Sequence, residues 1–168
     1  NDPAAAKIME LSTSVNKTYA IEENAADFVA KEIKYKNSDG IEYELLTQNN
    51  IFRIRSRIPG RFSVFNTLAS ASAGVLLGVD EKIISEAISG VQVTGRIEKL
   101  NTGTEYSVII DYAHTPDALE RVLVAARPLA APGGAVVVVY GCGGDRDRAK
   151  RPLMGEAAAR FADRAYLT

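Results

Sequence analysis

The second half of the chain alternates between strand patterns and helix patterns, and this alternation constrains the fold more than any other feature. Strands are predicted at 107–112, at 135–140 and from Ala165 onward, with helices at 116–127 and 152–162. Because the connections are short, consecutive strands should lie parallel in one sheet with the helices as crossovers. The pattern therefore predicts the opening of a parallel, doubly wound α/β sheet.

The first half of the chain follows a different pattern. Between Thr18 and Ile58 apolar residues recur at every second position in three runs, which predicts a meander of antiparallel strands. Asp39-Gly40 lies between two of these runs and is typical of a tight hairpin turn. Helices are predicted at 2–11, at 62–77 and after Asp80, which should cap the last of them.

The change of pattern falls at Val93-Thr94-Gly95. Antiparallel strands and helices precede this point, and the alternating strands and helices follow it. The sequence therefore predicts two units, residues 1–93 and residues 94–168, whose sheets are separate.

Composition places the chain among water-soluble globular proteins. Of its 168 residues 46% are hydrophobic and 24% charged, which is typical of a chain with a buried core. Lysine and arginine (20) nearly balance aspartate and glutamate (21), which excludes a broad basic surface for nucleic acid or an anionic membrane. The single cysteine, Cys142, excludes an internal disulfide, and we expect a cytoplasmic location.

The segment from Asp111 to Asp117, DYAHTPD, is the first that carries chemistry. Asp111 ends an apolar strand, where a carboxylate is costly unless it is paired, hydrogen-bonded or facing a ligand. Ligands of open α/β sheets collect beyond the carboxyl ends of the strands, so Asp111 is predicted to face one. His114 is the only histidine in the chain. Thr115-Pro116 is predicted to begin the following helix as its cap and first residue.

The segment from Gly141 to Pro152, GCGGDRDRAKRP, follows the next strand. Its glycines allow the backbone to approach a ligand, and four cations stand within the six residues 146–151. An anion site and a solvated charge cluster are both consistent with these residues. The G-x-G-x-x-G spacing of a dinucleotide fingerprint is missing, which argues against a nicotinamide oxidoreductase.

Taken together, four strings resemble the Mur ligase family in order and spacing. GCGGDRDRAKRP resembles the signature of the members that add the third amino acid to the UDP-MurNAc-peptide, and DYAHTPDAL (111–119) resembles a motif that the family places beside ATP. Gly95-Arg96-Ile97-Glu98 resembles the GR-x-E of the interdomain linker. Residues 60–69 are similar to G-x-F-N-x-x-N-x-L-A, with Ser63 in place of the first asparagine. The resemblance covers essentially the whole chain.

The resemblance implies both a fold and an activity. Residues 1–93 would be the end of a P-loop-type central domain and residues 94–168 the start of a Rossmann-like parallel α/β domain. The whole enzyme would use ATP and Mg²⁺ to add meso-diaminopimelate or L-lysine to UDP-MurNAc-L-Ala-D-Glu through an acyl phosphate, in peptidoglycan biosynthesis. Its substrates would be that UDP-MurNAc-dipeptide and a diamino acid, and a monomer is favoured. The phosphate loop, the carbamylated lysine and the uridine-binding domain should lie before Asn1, so the chain alone is expected to be inactive.

The resemblance also implies an ATP site. Asn66 would contact the adenine side of ATP, Arg96 its phosphates and Asp111 its ribose, with His114 close by. No residue of this chain is assigned as catalytic or as a metal ligand.

A second set of residues would bind the amino-acid substrate. Arg146 would hold a carboxylate of the incoming diamino acid, because a guanidinium can grip it with two parallel hydrogen bonds. Lys150 and Arg151 are weaker candidates for the same cleft. We expect Asp111, His114 and Arg146 to lie at one rim of the sheet.

Two alternatives stay open at this point. One is another Mur-like ligase, such as the next enzyme of the pathway (MurF), a cyanophycin synthetase or a folylpolyglutamate synthetase. The other is a non-catalytic nucleotide-binding module, which the glycine-rich loop and Asp111 would also suit.

Overall fold

The computed structural model describes residues 4–23, 25–36, 39–143 and 147–168. The helices are α1 (Ala4–Leu11), α2 (Arg61–Leu76), α3 (Glu81–Gly90), α4 (Pro116–Ala126) and α5 (Lys150–Phe161). The strands are β1 (Tyr19–Ile21), β2 (Phe28–Tyr35), β3 (Ile41–Leu46), β4 (Ile51–Ser56), β5 (Glu98–Leu100), β6 (Val108–Ile110), β7 (Val137–Tyr140) and β8 (Arg164–Leu167). The mixture of helices and strands confirms the predicted α/β class.

The first sheet has the strand order β1-β2-β3-β4. Strands β2, β3 and β4 are antiparallel, as predicted, but β1 runs parallel to β2, so the expectation of a purely antiparallel meander is wrong. Asp27 explains the direction of β1. Its carboxylate accepts hydrogen bonds from the backbone N–H and the hydroxyl of Thr18, each at 2.9 Å, and fixes the start of β1 beside the start of β2.

Gly40 ends the turn between β2 and β3. Its φ of 95° lies in the left-handed region, and a Cβ at this position would stand 1.8 Å from the carbonyl oxygen of Ser56. Lys36 N–H donates to the carbonyl of Gly40 at 2.9 Å and closes the turn. Only glycine fits this backbone, which agrees with the hairpin predicted at Asp39-Gly40.

Glu42 organises the charged side chains on one face of this sheet. Its carboxylate is nearly buried and receives Lys36 at 2.6 Å and Arg55 at 3.1 Å, with Arg53 at 3.5 Å. The hydrogen bond from Lys36, together with the charge of Arg55, holds the pKa of Glu42 below its usual range. Arg55 lies directly opposite Glu42 on the neighbouring strand, so these cations support strand pairing.

Helix α2 covers the other face of the sheet and forms the main core with it. Val64, Leu68 and Ala71 are fully buried along one side of the helix. Tyr43 of β3 is buried beneath them, and its hydroxyl lies 3.1 Å from that of Thr67. Burial raises the pKa of Tyr43 to about 12.

Helix α3 begins as predicted, because Asp80 accepts a hydrogen bond from Lys82 N–H at 2.9 Å. Its apolar stripe is only half buried. Ile84 and Ile88 are in the core, whereas Ile83 and Ala87, which belong to the same predicted stripe, are exposed. The helix packs mainly on β4 and α2, so a narrow strip of its surface is covered and Ile83 and Ala87 stay in solvent.

The second half contains two short sheets. Strands β7 and β8 are parallel, as predicted, but β6 pairs antiparallel with β5, a strand that was not predicted. The predicted single parallel sheet is therefore only partly present among the described residues. A cavity of about 630 Å³, lined by Ile109, Leu123 and Val137 among others, lies between β6 and β7.

Helices α4 and α5 pack together and form the second core with β7. Thr115 caps α4 by accepting a hydrogen bond from Ala118 N–H at 3.3 Å, and Pro116 is its first residue, both as predicted. Helix α5 begins at Lys150, two positions before the predicted start. Asp163 accepts from Arg127 at 2.7 Å and from Val136 N–H at 2.6 Å, and these bonds lower the pKa of Asp163.

The chain between the two halves is exposed from Val91 to Thr94. No strand pairing among the described residues crosses Thr94. The halves approach each other at Gly60, where an added Cβ would lie 3.1 Å from that of Ala125. Within the described ranges, no helix has both the length and the apolar character needed to cross a membrane.

Candidate functional site

The segment Gly95–Glu98, here called the linker turn, has an unusual backbone. Gly95 has a φ of 70° and Ile97 a φ of 43°. A left-handed conformation in a β-branched residue costs on the order of 1–3 kcal/mol, so it persists only where its surroundings impose it. Part of the constraint is internal, because the Glu98 carboxylate accepts Gly95 N–H at 2.7 Å.

Asp111 supplies the external part of the constraint. One oxygen of its carboxylate accepts Ile97 N–H at 2.9 Å, and the other accepts Ala113 N–H at 2.8 Å. The side chain therefore joins the linker turn to the end of β6. Each carboxylate oxygen can accept a second hydrogen bond, so Asp111 can also receive a donor from a ligand.

Arg96, Tyr112 and His114 form a cluster on the surface beside Asp111. The guanidinium carbon of Arg96 lies 5.0 Å from the centre of the Tyr112 ring. The His114 ring meets the same tyrosine edge-on, with the ring centres 5.0 Å apart and the planes at 65°. His114 Nδ1 lies 3.0 Å from the carbonyl oxygen of Tyr112. All three side chains are exposed, so they are accessible to a ligand.

Lys150, the first residue of α5, reaches this cluster. Its Nζ donates to the carbonyl oxygen of His114 at 3.1 Å, so the segment from Gly141 to Pro152 touches the segment from Asp111 to Asp117. Arg146 lies outside the described residues, and its place at the same rim stays a prediction. Arg151 is exposed on the first turn of α5.

Asn66 belongs to the first half of the chain. It is exposed on α2, and its carbonyl oxygen accepts the hydroxyl of Ser70 at 3.0 Å. No contact described in this structure joins it to Arg96 or Asp111. The structure thus brings together Arg96, Asp111, His114 and Lys150 from the predicted residues, and the roles of Asn66 and Arg151 stay predictions.

The sequence interpretation missed two residues of this site. Glu98 was quoted as part of the GR-x-E string but was given no role, and Tyr112 was given none. A signal for Tyr112 existed: an aromatic ring directly after a strand-ending carboxylate has little room in the core, and 63% of it is exposed. No signal in the sequence indicated that Glu98 would close the turn.

The arrangement suits an anionic ligand that carries hydroxyl groups. Arg96 and Lys150 supply positive charge, and Asp111 offers free acceptor positions for hydroxyl donors. Among the described residues, no group of three or more histidine, cysteine, aspartate or glutamate side chains could hold a metal ion.

Comparison with known proteins identifies the family. Residues 1–74 match the Mur ligase middle domain, and residues 95–168 match the domain described as Mur ligase, glutamate ligase domain. The chain belongs to the Mur ligase family, which confirms the resemblance seen in its motifs.

Curated relatives match the entire chain. A protein of Syntrophomonas wolfei is 40% identical and one of Halalkalibacterium halodurans 42% identical, each over 100% of this chain. Both are named UDP-N-acetylmuramoyl-L-alanyl-D-glutamate–2,6-diaminopimelate ligase. The chain covers 34% of each of them, so it spans about a third of the length of these relatives.

Solved structures agree with the family. The structure of a ligase with that same name is 34% identical, covers 90% of this chain and 30% of its own, and has a TM-score of 0.61. MurF from Acinetobacter baumannii has a TM-score of 0.77 over 99% of this chain and 40% of its own. At 19% identity the likeness to MurF shows the fold alone.

Proposed function

We propose that the chain is part of an ATP-dependent ligase that joins 2,6-diaminopimelate to UDP-N-acetylmuramoyl-L-alanyl-D-glutamate in peptidoglycan biosynthesis. The names of relatives about 40% identical over the whole chain support this activity. The observation that carries the proposal in the structure is the meeting of Arg96, Asp111, His114 and Lys150 on one surface. The whole enzyme would act in the cytoplasm, as a monomer.

The proposal divides the chain between two domains of the ligase. Residues 1–93 would be the end of the central domain and residues 94–168 the start of the C-terminal domain. The family matches at 1–74 and 95–168 support this division, as does the lack of strand pairing across Thr94 in the described chain.

The cluster around Tyr112 would bind ATP. Arg96 would bind its phosphates, because an arginine in a fixed position can donate two parallel hydrogen bonds to an oxyanion. Asp111 would accept a hydroxyl of the ribose on its remaining lone pairs. His114 would lie beside the nucleotide, and Asn66 would reach the adenine from the other domain.

The loop before α5 would bind the amino acid. Arg146 would hold a carboxylate of the diamino acid, and Lys150 and Arg151 would be secondary contacts. The bond from Lys150 to the carbonyl of His114 supports this arrangement, because it places the start of α5 next to the proposed ATP site.

The reaction would have two steps. A carboxylate oxygen of the peptide attacks the γ-phosphorus of ATP, forming an acyl phosphate and releasing ADP. The amine of the diamino acid then attacks the acyl carbon, phosphate leaves, and the amine gives up a proton. Arg96 would offset negative charge on the phosphoryl group during transfer. Mg²⁺ would shield the phosphates when bound, but the described residues offer no cluster to hold it, so we assign no metal ligand among them.

The test uses the full-length ligase that contains this chain. Phosphate release should require ATP, the UDP-MurNAc-dipeptide and 2,6-diaminopimelate together, and Arg96→Ala should raise the KM for ATP roughly ten- to hundredfold. Turnover with L-lysine but not 2,6-diaminopimelate would refute the substrate assignment. Binding of ATP without any amino-acid-dependent turnover would instead indicate a non-catalytic nucleotide-binding module.

A further inference from the structure

Arg96 and Tyr112 are both exposed, yet their side chains contact each other. An exposed arginine normally samples many rotamers and loses side-chain entropy when a ligand fixes it. Here the guanidinium lies over the Tyr112 ring at 5.0 Å, within the range of a cation–π interaction. The ring also contacts His114, with the two ring planes at 65° to each other.

The backbones that carry the two side chains are also fixed to each other. Asp111, the residue before Tyr112, binds the N–H of Ile97, the residue after Arg96. Arg96 N–H donates to the carbonyl of Val93 at 3.0 Å. The Asp111 hydrogen bond therefore keeps the backbone of Arg96 close to that of Tyr112, and the contact between their side chains adds to it.

The contact with Tyr112 leaves the hydrogen-bond donors of the guanidinium available. The ring attracts the positive charge of the guanidinium and accepts none of the hydrogen bonds that its five N–H groups can donate. An arginine held by a cation–π contact can thus still donate two parallel hydrogen bonds to a phosphate oxyanion.

We propose that Tyr112 is a positioning residue for Arg96, and that it holds the guanidinium in place for the phosphates of ATP before the nucleotide arrives. This inference rests on the proposed function, since it takes ATP as the ligand. Tyr112 acts through Arg96 and need not touch the nucleotide itself.

The experiment measures steady-state kinetics of the full-length ligase with Tyr112→Leu, Tyr112→Phe, Arg96→Ala and the double variant Tyr112→Leu/Arg96→Ala. Tyr112→Leu should raise the KM for ATP roughly two- to fivefold, the range of an exposed cation–π contact, and leave the KM for the UDP-MurNAc-dipeptide unchanged. Tyr112→Phe keeps an aromatic face, so its KM for ATP should stay close to that of the wild type. Tyr106→Leu, at another exposed tyrosine of the same half, is the matched control and should behave as the wild type.

The double variant separates positioning from direct contact. If Tyr112 acts through Arg96, adding Tyr112→Leu to Arg96→Ala produces no further change in the KM for ATP. If Tyr112→Leu raises the KM for ATP as much in the Arg96→Ala enzyme as in the wild type, the ring itself contacts ATP and the proposal is wrong. A Tyr112→Leu enzyme with the wild-type KM for ATP would overturn it as well. Failure of the proposed function would look different, because the wild-type enzyme itself would then show no ATP-dependent ligation.

Discussion

The carboxylate of Asp111 accepts a hydrogen bond from the backbone N–H of Ile97 at 2.9 Å, and so connects the end of β6 to the turn between the two halves of the chain. The φ of 43° at Ile97 is unfavourable for a β-branched residue, and this hydrogen bond is one of the contacts that stabilise it. Asp111 therefore has a structural task besides the ribose contact proposed for it.

We expect Asp111→Ala to destabilise the linker turn. The change removes the acceptor of two backbone N–H groups, those of Ile97 and Ala113, and should lower the free energy of unfolding by about 1.5–3 kcal/mol. Hydrogen exchange of the 95–98 amides should become faster, and urea denaturation should measure the loss. Asp117→Ala is the control, since its exposed ion pair with Arg121 should contribute less than about 1 kcal/mol. Equal losses in both variants would contradict the assignment.

Two glycines with positive φ make a matched pair for a second prediction. Gly40→Ala would place Cβ 1.8 Å from the Ser56 carbonyl, whereas Gly78→Ala would meet nothing within 4 Å. In both variants the alanine must adopt a left-handed backbone conformation, which costs roughly 1 kcal/mol. Only Gly40→Ala must also displace β4. We expect a loss of about 2–4 kcal/mol for Gly40→Ala in chemical denaturation. Losses of similar size at both positions would show that the hairpin accommodates a side chain.

Several elements could be predicted from residues that are close together in the sequence. Thr115-Pro116 and Asp80 act within their own first helical turns, so the starts of α4 and α3 could be predicted from neighbouring residues. The β2–β3 turn could also be predicted locally, because it depends on Gly40, a residue of the turn itself. The motifs around Asp111 and His114 predict an ATP site there, and that role stays a prediction.

The features that were missed depend on residues distant in the sequence. The parallel direction of β1 depends on Asp27 binding Thr18, and the conformation of Ile97 depends on Asp111, 14 positions later. Strand β5 has only three residues, too few to show a periodicity. The contact between Arg96 and Tyr112 also joins two separate segments, so composition and spacing could not reveal it.

The stability of the first sheet should depend on pH through Asp27. Hydrogen bonds from Lys17 and Thr18 lower the pKa of Asp27 from 3.8 to about 2. Because the folded pKa lies below the unfolded one, this stabilisation is complete above about pH 4 and disappears as the pH falls towards 2. We expect Asp27→Asn to be less stable than the wild type at pH 7, with a difference that shrinks on acidification.

Thermal unfolding across that pH range would check the Asp27 prediction. Glu120→Gln, at an exposed position of α4, is the control. It should leave the dependence of thermal stability on pH the same as in the wild type. A difference between Asp27→Asn and the wild type that stays constant from pH 7 to 2 would mean that the charge of Asp27 is not the cause.

The amino-acid site is tested by Arg146→Lys in the full-length ligase. A guanidinium can hold a carboxylate with two parallel hydrogen bonds, whereas an ammonium offers only a point charge. Losing one charge-assisted hydrogen bond should cost about 1.5–3 kcal/mol, or roughly ten- to hundredfold in kcat/KM for the diamino acid. The KM for ATP should hardly change.

Arg96→Lys is the matched comparison for Arg146→Lys, because the two arginines are assigned to different substrates. Loss of the planar group at Arg96 should raise the KM for ATP and leave that for 2,6-diaminopimelate nearly unchanged, which is the reverse of the Arg146→Lys result. Steady-state kinetics with each substrate varied in turn would measure both. An Arg146→Lys enzyme whose defect appears only in the KM for ATP would move Arg146 to the nucleotide site, and the amino-acid contact would then have to be sought at Lys150 or Arg151.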